Sequence, residues 1–215
     1  MKVLACIFDL DGVIVDTARY HYFAWKRLAE ELGFYFSEKH NERLKGVSRM
    51  TSLNILLETG GIKLPEENKL QLAGKKNSWY KKYISKLSPD DILPGAKEYL
   101  TEVKKSNLKI GIGSASKNTH IILRNIGLDK FFDSVVDGNK IHKAKPDPEV
   151  FLNVANELNI PPGNCVVFED AVAGIQAARN GGMTCVGIGS DKILHEADLV
   201  VKSLKEMTLE KLYSL

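Results

Sequence analysis

Two carboxylates, Asp9 and Asp11, close an apolar run that starts at Val3, and they stand directly before Gly12. The run from Val3 to Phe8, with β-branched and aromatic members, reads as a buried strand. Alternate strand residues face the same side, so the two acids are expected together if the extended backbone continues through them. One acid can then serve as nucleophile or metal ligand while its neighbour moves a proton. A solvated turn is the plain alternative, because Asp and Gly are ordinary turn formers. Other chemistry-bearing residues ending their strands at the same edge decide between the two, since open parallel sheets bind ligands there.

Three further stretches have that layout. Lys109 to Gly113 leads into Ser114, Ala115, Ser116, Lys117 and Asn118. Ser134 to Gly138 precedes Lys143, Ala144, Lys145 and Pro146, and Asn164 to Phe168 runs into Glu169 and Asp170. An Asp pair, a hydroxyl-bearing turn, a lysine and an acidic pair, in this order, make the chain resemble the haloacid dehalogenase superfamily of phosphoryl-transfer enzymes. The resemblance implies Asp9 as nucleophile and Asp11 as acid/base, with Ser114, the Ala115 amide and Lys145 around the transferring phosphoryl group. A carboxylate attacking a phosphoryl anion needs a cation between them, and Mg²⁺ takes hard oxygen ligands. Its expected ligands are Asp9, Asp11 through the backbone carbonyl, Glu169 and Asp170. The bland readings are acids decorating a helix N-terminus for Glu169 and Asp170, and helix capping for Ser116 or Asn118. Lys145 is preferred to Lys143 and His142 because Pro146 holds the preceding residue extended and so helps aim its side chain.

The stretch from about Asp16 to Ser88 contains no strand-like run. Tyr22, Trp25, Leu28, Ala29 and Leu32 follow helical spacing up to Gly33, and further helices are expected over Arg49 to Leu57 and Pro65 to Leu87. Within this block Asp16 to His21, Trp25 and Leu44 to Arg49 resemble the β-phosphoglucomutase subfamily, as do Ser114 to Asn118 and Gly174 to Ala178 in the remainder. The resemblance runs over essentially the whole chain. It implies a Rossmann-like parallel α/β core over 1–15 and 92–215, and an inserted all-helical cap over 16–91. Hinges are expected near Val13 to Thr17 and Ser88 to Gly95, with closure excluding water.

The same resemblance implies β-D-glucose 1-phosphate as substrate, a phosphorylated Asp9, and β-glucose 1,6-bisphosphate as the intermediate that primes the enzyme. A bisphosphate needs two phosphate holders. Arg49, Lys117 and Asn118 are expected on the distal phosphate, a guanidinium suiting bidentate binding. Gly46, Val47, Ser48, Ser52, Lys76 and Ser116 complete the expected substrate wall. Trp25 is counted with that wall, although filling the cap core is the favoured reading for it. Thr17 and His21 are expected to place the acid/base when the cap closes, against the alternative that His21 is an ordinary packing residue. A sugar-phosphate phosphatase with the same machinery is the alternative function; a silent phosphate-binding module would be free to lose Asp9, Asp11 or Lys145.

The 215 residues carry 30 basic and 27 acidic side chains, a formal net charge of +3, and no evident basic stripe, so no nucleic-acid partner is expected. Lys75, Lys76, Lys81 and Lys82 read as a solvated helix face. Cys6, Cys165 and Cys185 lie in apolar runs and are expected as buried free thiols. No apolar run approaches the ~18 residues of a membrane span, and a cytoplasmic monomer is the expectation. From Ile92 onward strands alternate with helices: Pro94 to Lys105, Lys117 to Ile126, Pro146 to Leu158, Ala171 to Asn180 and a C-terminal helix. The strands between them include Thr184 to Ile188 and Leu199 to Val201, a pattern that implies parallel crossovers.

Overall fold

A computed structural model describes residues 2–215. Strand β1 (Ala5–Phe8) is buried along its whole length. From it the chain leaves the sheet for four helices, α1 (Ala18–Glu31), α2 (Glu38–Glu42), α3 (Arg49–Thr59) and α4 (Glu66–Ile84). It returns through α5 (Ala96–Lys105) to β2 (Lys109–Gly113), α6 (Thr119–Asn125), β3 (Ser134–Val136) and α7 (Glu149–Glu157). There follow β4 (Cys165–Glu169), α8 (Val172–Asn180), β5 (Thr184–Ile188), α9 (Asp191–Leu194), β6 (Leu199–Val201) and α10 (Leu209–Tyr213). The order in the sheet is β3-β2-β1-β4-β5-β6, and every pairing is parallel.

This order reverses at β1: the next strands run outward on one side, the later ones on the other. The crevice beyond the carboxyl ends of β1 and β4 is therefore a switch point of the kind that binds ligands. Register sets its depth, with Phe8 level with Ile112 on one side and Phe168 on the other.

Strand residues sort by alternation between two cores. Cys6, Phe8, Ile110, Ile112, Val166 and Phe168 pack with Tyr99, Leu100 and Val103 of α5 and with Ile122 and Leu123 of α6. Ala5, Ile7, Cys165, Val167 and Cys185 face the other way, onto Phe151 and Val154 of α7 and Ile175 and Ala178 of α8. Both faces of a parallel sheet are thus covered, as its near-continuous apolar strands require. All three cysteines are free and buried.

The four inserted helices have a core of their own, built from Trp25, Leu28, Phe36, Leu53, Leu56, Ala73 and Trp79. Ala24, Tyr80 and Ile84 instead join the core of the sheet domain. Where the chain leaves and re-enters the sheet domain, its two crossings lie side by side. Val15 bridges Ile92, the Leu93 amide donates to Ile14 O at 2.9 Å, and Arg19 reaches Asp91 Oδ1 at 2.6 Å.

Among the differences between the elements and the sequence expectation, two lie close to the site. The helix expected from Pro146 begins at Glu149, because Ala144 to Pro148 is used to send Lys145 inward and the Glu149 carboxylate accepts the His142 and Lys143 amides. Helix α2 has no counterpart in the sequence expectation. Its capping box pairs Ser37 with His40, whose Nδ1 accepts the Ser37 amide in place of the usual Glu or Gln. No helix among the described residues is long and apolar enough to cross a membrane.

Candidate active site

Asp9 follows β1, and its amide donates to Phe168 O at 2.9 Å, so the strand's pairing delivers the side chain to the switch point. Lys145 Nζ donates to Asp9 Oδ1 at 2.6 Å and to Glu169 Oε1 at 2.5 Å. Burial alone would push this ammonium down, but Asp9 and Glu169 together raise it above the usual lysine range, so it stays charged. The other Glu169 oxygen accepts the Ala171 amide at 2.9 Å. Glu169, expected among the metal ligands, therefore has both oxygens engaged and acts as the carboxylate that holds Lys145. Helix α8 approaches it through Gly174, where a Cβ would stand 1.9 Å from the Glu169 carboxyl carbon.

Asp11 is held from the insert. Thr17, the residue preceding α1, donates its hydroxyl to Asp11 Oδ1; the Tyr80 hydroxyl of α4 reaches the same oxygen at 3.4 Å. His21 Nε2 lies 3.9 Å from it, beyond hydrogen-bond reach, and His21 Nδ1 is 2.9 Å from Lys76 Nζ. Burial, then the charges of Lys76 and Arg49, hold the imidazole well below its ordinary range, so Nδ1 accepts and Nε2–H faces the carboxylate. Burial, then Asp9, push Asp11 up to about 6 against the pull of Thr17 and Tyr80. An acid near neutrality can both take and give a proton at working pH.

These groups border a cavity of about 590 Å³ between the sheet domain and the inserted helices. Of the residues expected on the site, Asp9, Asp11, His21 and Asp170 line one part of it. Gly46, Val47, Ser48, Arg49 and Ser52 line it from the α2–α3 loop and the start of α3. Trp25 and Lys76 contribute from α1 and α4, and Ala115, Ser116, Lys117 and Asn118 from the loop after β2. Thr17, Ser114, Lys145 and Glu169 are buried behind this wall. Ser114 Oγ accepts the Ser116 amide at 3.1 Å and Ser116 Oγ the Asn118 amide at 3.2 Å, which fixes the turn. Trp25 fills the helical core and also touches the cavity, with Lys76 Nζ 4.3 Å over its ring.

Lys143 is exposed and pairs with Asp147 at 3.6 Å, apart from the buried Lys145. Arg49 and Lys117 have no carboxylate partner among the described residues. Cationic groups thus stand in two places, Lys145 buried behind the wall at Asp9, and Arg49 and Lys117, without carboxylate partners, on the cavity wall itself.

Among the described residues no three His, Cys, Asp or Glu side chains form a ready-made metal cage. Mg²⁺ does not need one, since it is commonly held by one or two carboxylates with waters and substrate oxygens completing the octahedron. Asp9 and Asp170, whose carboxylates repel one another across the site, could supply that set. Burial, then Glu169 and Asp9, hold the Asp170 carboxyl well above its ordinary range, an excess of carboxylate that a divalent cation relieves. Gly12, at φ +94°, makes room for it: a Cβ there would lie 2.2 Å from Asp170 Oδ2.

Sequence reasoning missed Tyr80, Asn77, whose Oδ1 accepts from Asn118 Nδ2 at 3.0 Å, and Asn41 on the cavity wall. Helical spacing puts Tyr80, four residues on, on the same face of α4 as Lys76, whereas the adjacent Asn77 had no such signal.

Residues 6–188 match the haloacid dehalogenase-like hydrolase family, and the chain belongs to it. Within that class, the β-phosphoglucomutase of Bacillus subtilis (strain 168) is 45% identical over 97% of this chain and 93% of its own length. A crystal structure of β-phosphoglucomutase from Clostridium difficile superposes with a TM-score of 0.95 at 45% identity, over 99% of this chain and 96% of that one. The phosphorylated carbohydrates phosphatase of Thermotoga maritima is 35% identical over 83% of this chain and 82% of its own.

Proposed function

We propose that the chain is a β-phosphoglucomutase, interconverting β-D-glucose 1-phosphate and glucose 6-phosphate through a phosphorylated Asp9 and β-glucose 1,6-bisphosphate. The observation that carries this reading is the second, unpaired cationic region at Arg49 and Lys117. A hydrolase of one phosphomonoester needs one phosphate holder, whereas a bisphosphate intermediate needs two. The 45% identity to a mutase over nearly the full length supports the same choice.

Residues 16–91 act as a cap on the core formed by 1–15 and 92–215. Asp9 starts phosphorylated. Asp11 takes the proton of the 6-hydroxyl of β-glucose 1-phosphate, whose oxygen attacks the Asp9 phosphoryl group in line while the Asp9 carboxylate leaves. The bisphosphate turns within the cavity, its phosphates exchanging the Lys145 and Arg49 regions. Asp9 then attacks the 1-phosphate, and Asp11 returns the proton to the departing sugar oxygen. Lys145 and Ser114 hold the transferring group, while Thr17 and His21 orient Asp11 from the cap. Mg²⁺, typical of the family, would be held by Asp9 and Asp170 with the Asp11 carbonyl and would screen charge between nucleophile and phosphoryl oxygens.

A ³¹P NMR time course with Mg²⁺, β-glucose 1-phosphate and a trace of β-glucose 1,6-bisphosphate tests the proposal. Glucose 6-phosphate is the expected product. Inorganic phosphate as the main product would assign the chain to the sugar-phosphate phosphatases. Asp9→Asn is expected to abolish turnover and phosphoenzyme alike.

A further inference from the structure

Among the described residues, two buried side-chain polar atoms have no hydrogen-bond partner: Tyr99 Oη, packed in the sheet domain, and Asn41 Oδ1, on the cavity wall. Asn41 belongs to α2 and is 7% exposed. Its backbone is already satisfied, the amide donating to Ser37 O at 3.1 Å and the carbonyl accepting from Leu44 at 2.9 Å. The side chain therefore has no part in holding the helix, and a buried amide oxygen left unpaired is normally selected against.

Several neutral and acidic groups around the cavity are engaged with protein partners, whereas Arg49 and Lys117 are left to the phosphates. His21 meets Lys76, Asn77 meets Asn118, and Asp11 meets Thr17 and Tyr80. Ser52 Oγ makes only a long bond of 3.4 Å to Leu44 O. On the mutase reading, phosphates drawn to Lys145 and to Arg49 would leave the sugar ring in the cavity that Trp25, Ser52 and Asn41 line.

We propose that Asn41 is a specificity-determining residue whose side-chain amide pairs with a ring hydroxyl of the bound hexose phosphate, completing its hydrogen bonding only when substrate is present. A primary amide both donates and accepts, as does a hydroxyl. The same side chain therefore serves both orientations of a bisphosphate that turns around in the site, even though they present different hydroxyls. The inference rests on the mutase reading for its substrate.

The test compares the full-length protein with Asn41→Leu, of similar volume and without polar atoms, and with Asn41→Ala. Each is melted without ligand, then assayed with β-glucose 1-phosphate and its 2-, 3- and 4-deoxy analogues, following both glucose 6-phosphate analogues and inorganic phosphate by ³¹P NMR. In the wild type, at least one deoxy analogue is expected to lose about tenfold to a hundredfold in kcat/KM, the usual consequence of an unpaired site group. In Asn41→Leu that ratio collapses toward one, with the loss on the parent sugar chiefly in KM. The same variant melts about 2–4 °C higher without ligand, because an orphaned polar atom has been removed. Unchanged discrimination in both variants overturns the proposal, as does a lowered melting point in both with discrimination intact. Phosphate release in place of isomerisation defeats the mutase reading alone, since the discrimination ratio is still measured. No turnover of either kind across the series defeats both.

Discussion

With Lys145 replaced by methionine, Asp9 and Glu169 would share the interior without the cation that now touches both at 2.6 and 2.5 Å. Removing one partner of a buried charged set costs about 3–5 kcal/mol, because the remaining charges stay desolvated. Lys145→Met is therefore expected to lose about that much in urea unfolding with chelator present, and Glu169→Gln added to it recovers part of the loss. A loss of only a few tenths would mean that the triad is already relaxed by water. At Asp11 the expectation is kinetic. Asp11→Asn should lower kcat by about a hundredfold to ten-thousandfold, slowing both phosphorylation of Asp9 by the bisphosphate and transfer from it to the sugar, which quench-flow labelling resolves. Asp9 and Asp11 were legible in the sequence because both follow β1 within a few residues, so local pattern fixes their position. Lys145, nine residues beyond the end of β3, was instead legible through the family motif and the Pro146 that follows it. Tyr80 and Asn41 were not, since their meeting with Asp11 or the cavity depends on how two helices pack, which period and propensity do not encode. Glu169 was legible as an acid at the site; that it faces Lys145 follows only from the depth at which β4 ends.

Helix α8 illustrates how an element delivers a residue that it does not contain. Its first turn passes so close to Glu169 that Gly174 has no room for a methyl group, since a Cβ there would fall 1.9 Å from the carboxyl carbon and Oε1. Gly174→Ala is expected to displace Glu169, lower stability by about 1–3 kcal/mol as overpacking does, and reduce turnover through Lys145. Thermal melting together with kcat decides it; a variant as stable and as active as the wild type would show that the helix simply shifts. The α/β alternation from Ile92 onward was readable because strands and helices differ in period. The start of α7 was not, because the sequence of prolines around Lys145 suits either a helix start or a loop, and only the inward turn of Lys145 chooses the loop. Likewise α2 escaped notice since His40 stands where a capping box usually carries Glu or Gln.

At the scale of the molecule, the proposed mechanism makes the choice between water and sugar as acceptor depend on the two chain crossings that join the insert to the core. They are held together by the Val15–Ile92 bridge, the Leu93 to Ile14 hydrogen bond and the Arg19–Asp91 pair at 2.6 Å. Thr17 lies within the same crossing and donates to Asp11, so a hydrogen bond links the position of the insert to that of the proposed acid/base. On the proposal that these crossings are the hinge, loosening the junction would let Asp11 reach its working position without full exclusion of water. Arg19→Ala removes partly exposed contacts, the pairs with Asp91 and with Asp16 at 3.5 Å and the bond to the Tyr20 hydroxyl at 3.0 Å. Each ion pair is worth about 0.2–1 kcal/mol, and the melting temperature is expected to fall by only a few degrees. The product ratio is expected to move instead, with inorganic phosphate rising several-fold relative to glucose 6-phosphate in the ³¹P NMR time course. A stable Arg19→Ala protein with an unaltered ratio would place control of the acceptor elsewhere, in the direct contacts of Thr17 and Tyr80 with Asp11. Thr17→Val, which keeps the shape and removes the donor, would then raise phosphate release where Arg19→Ala did not.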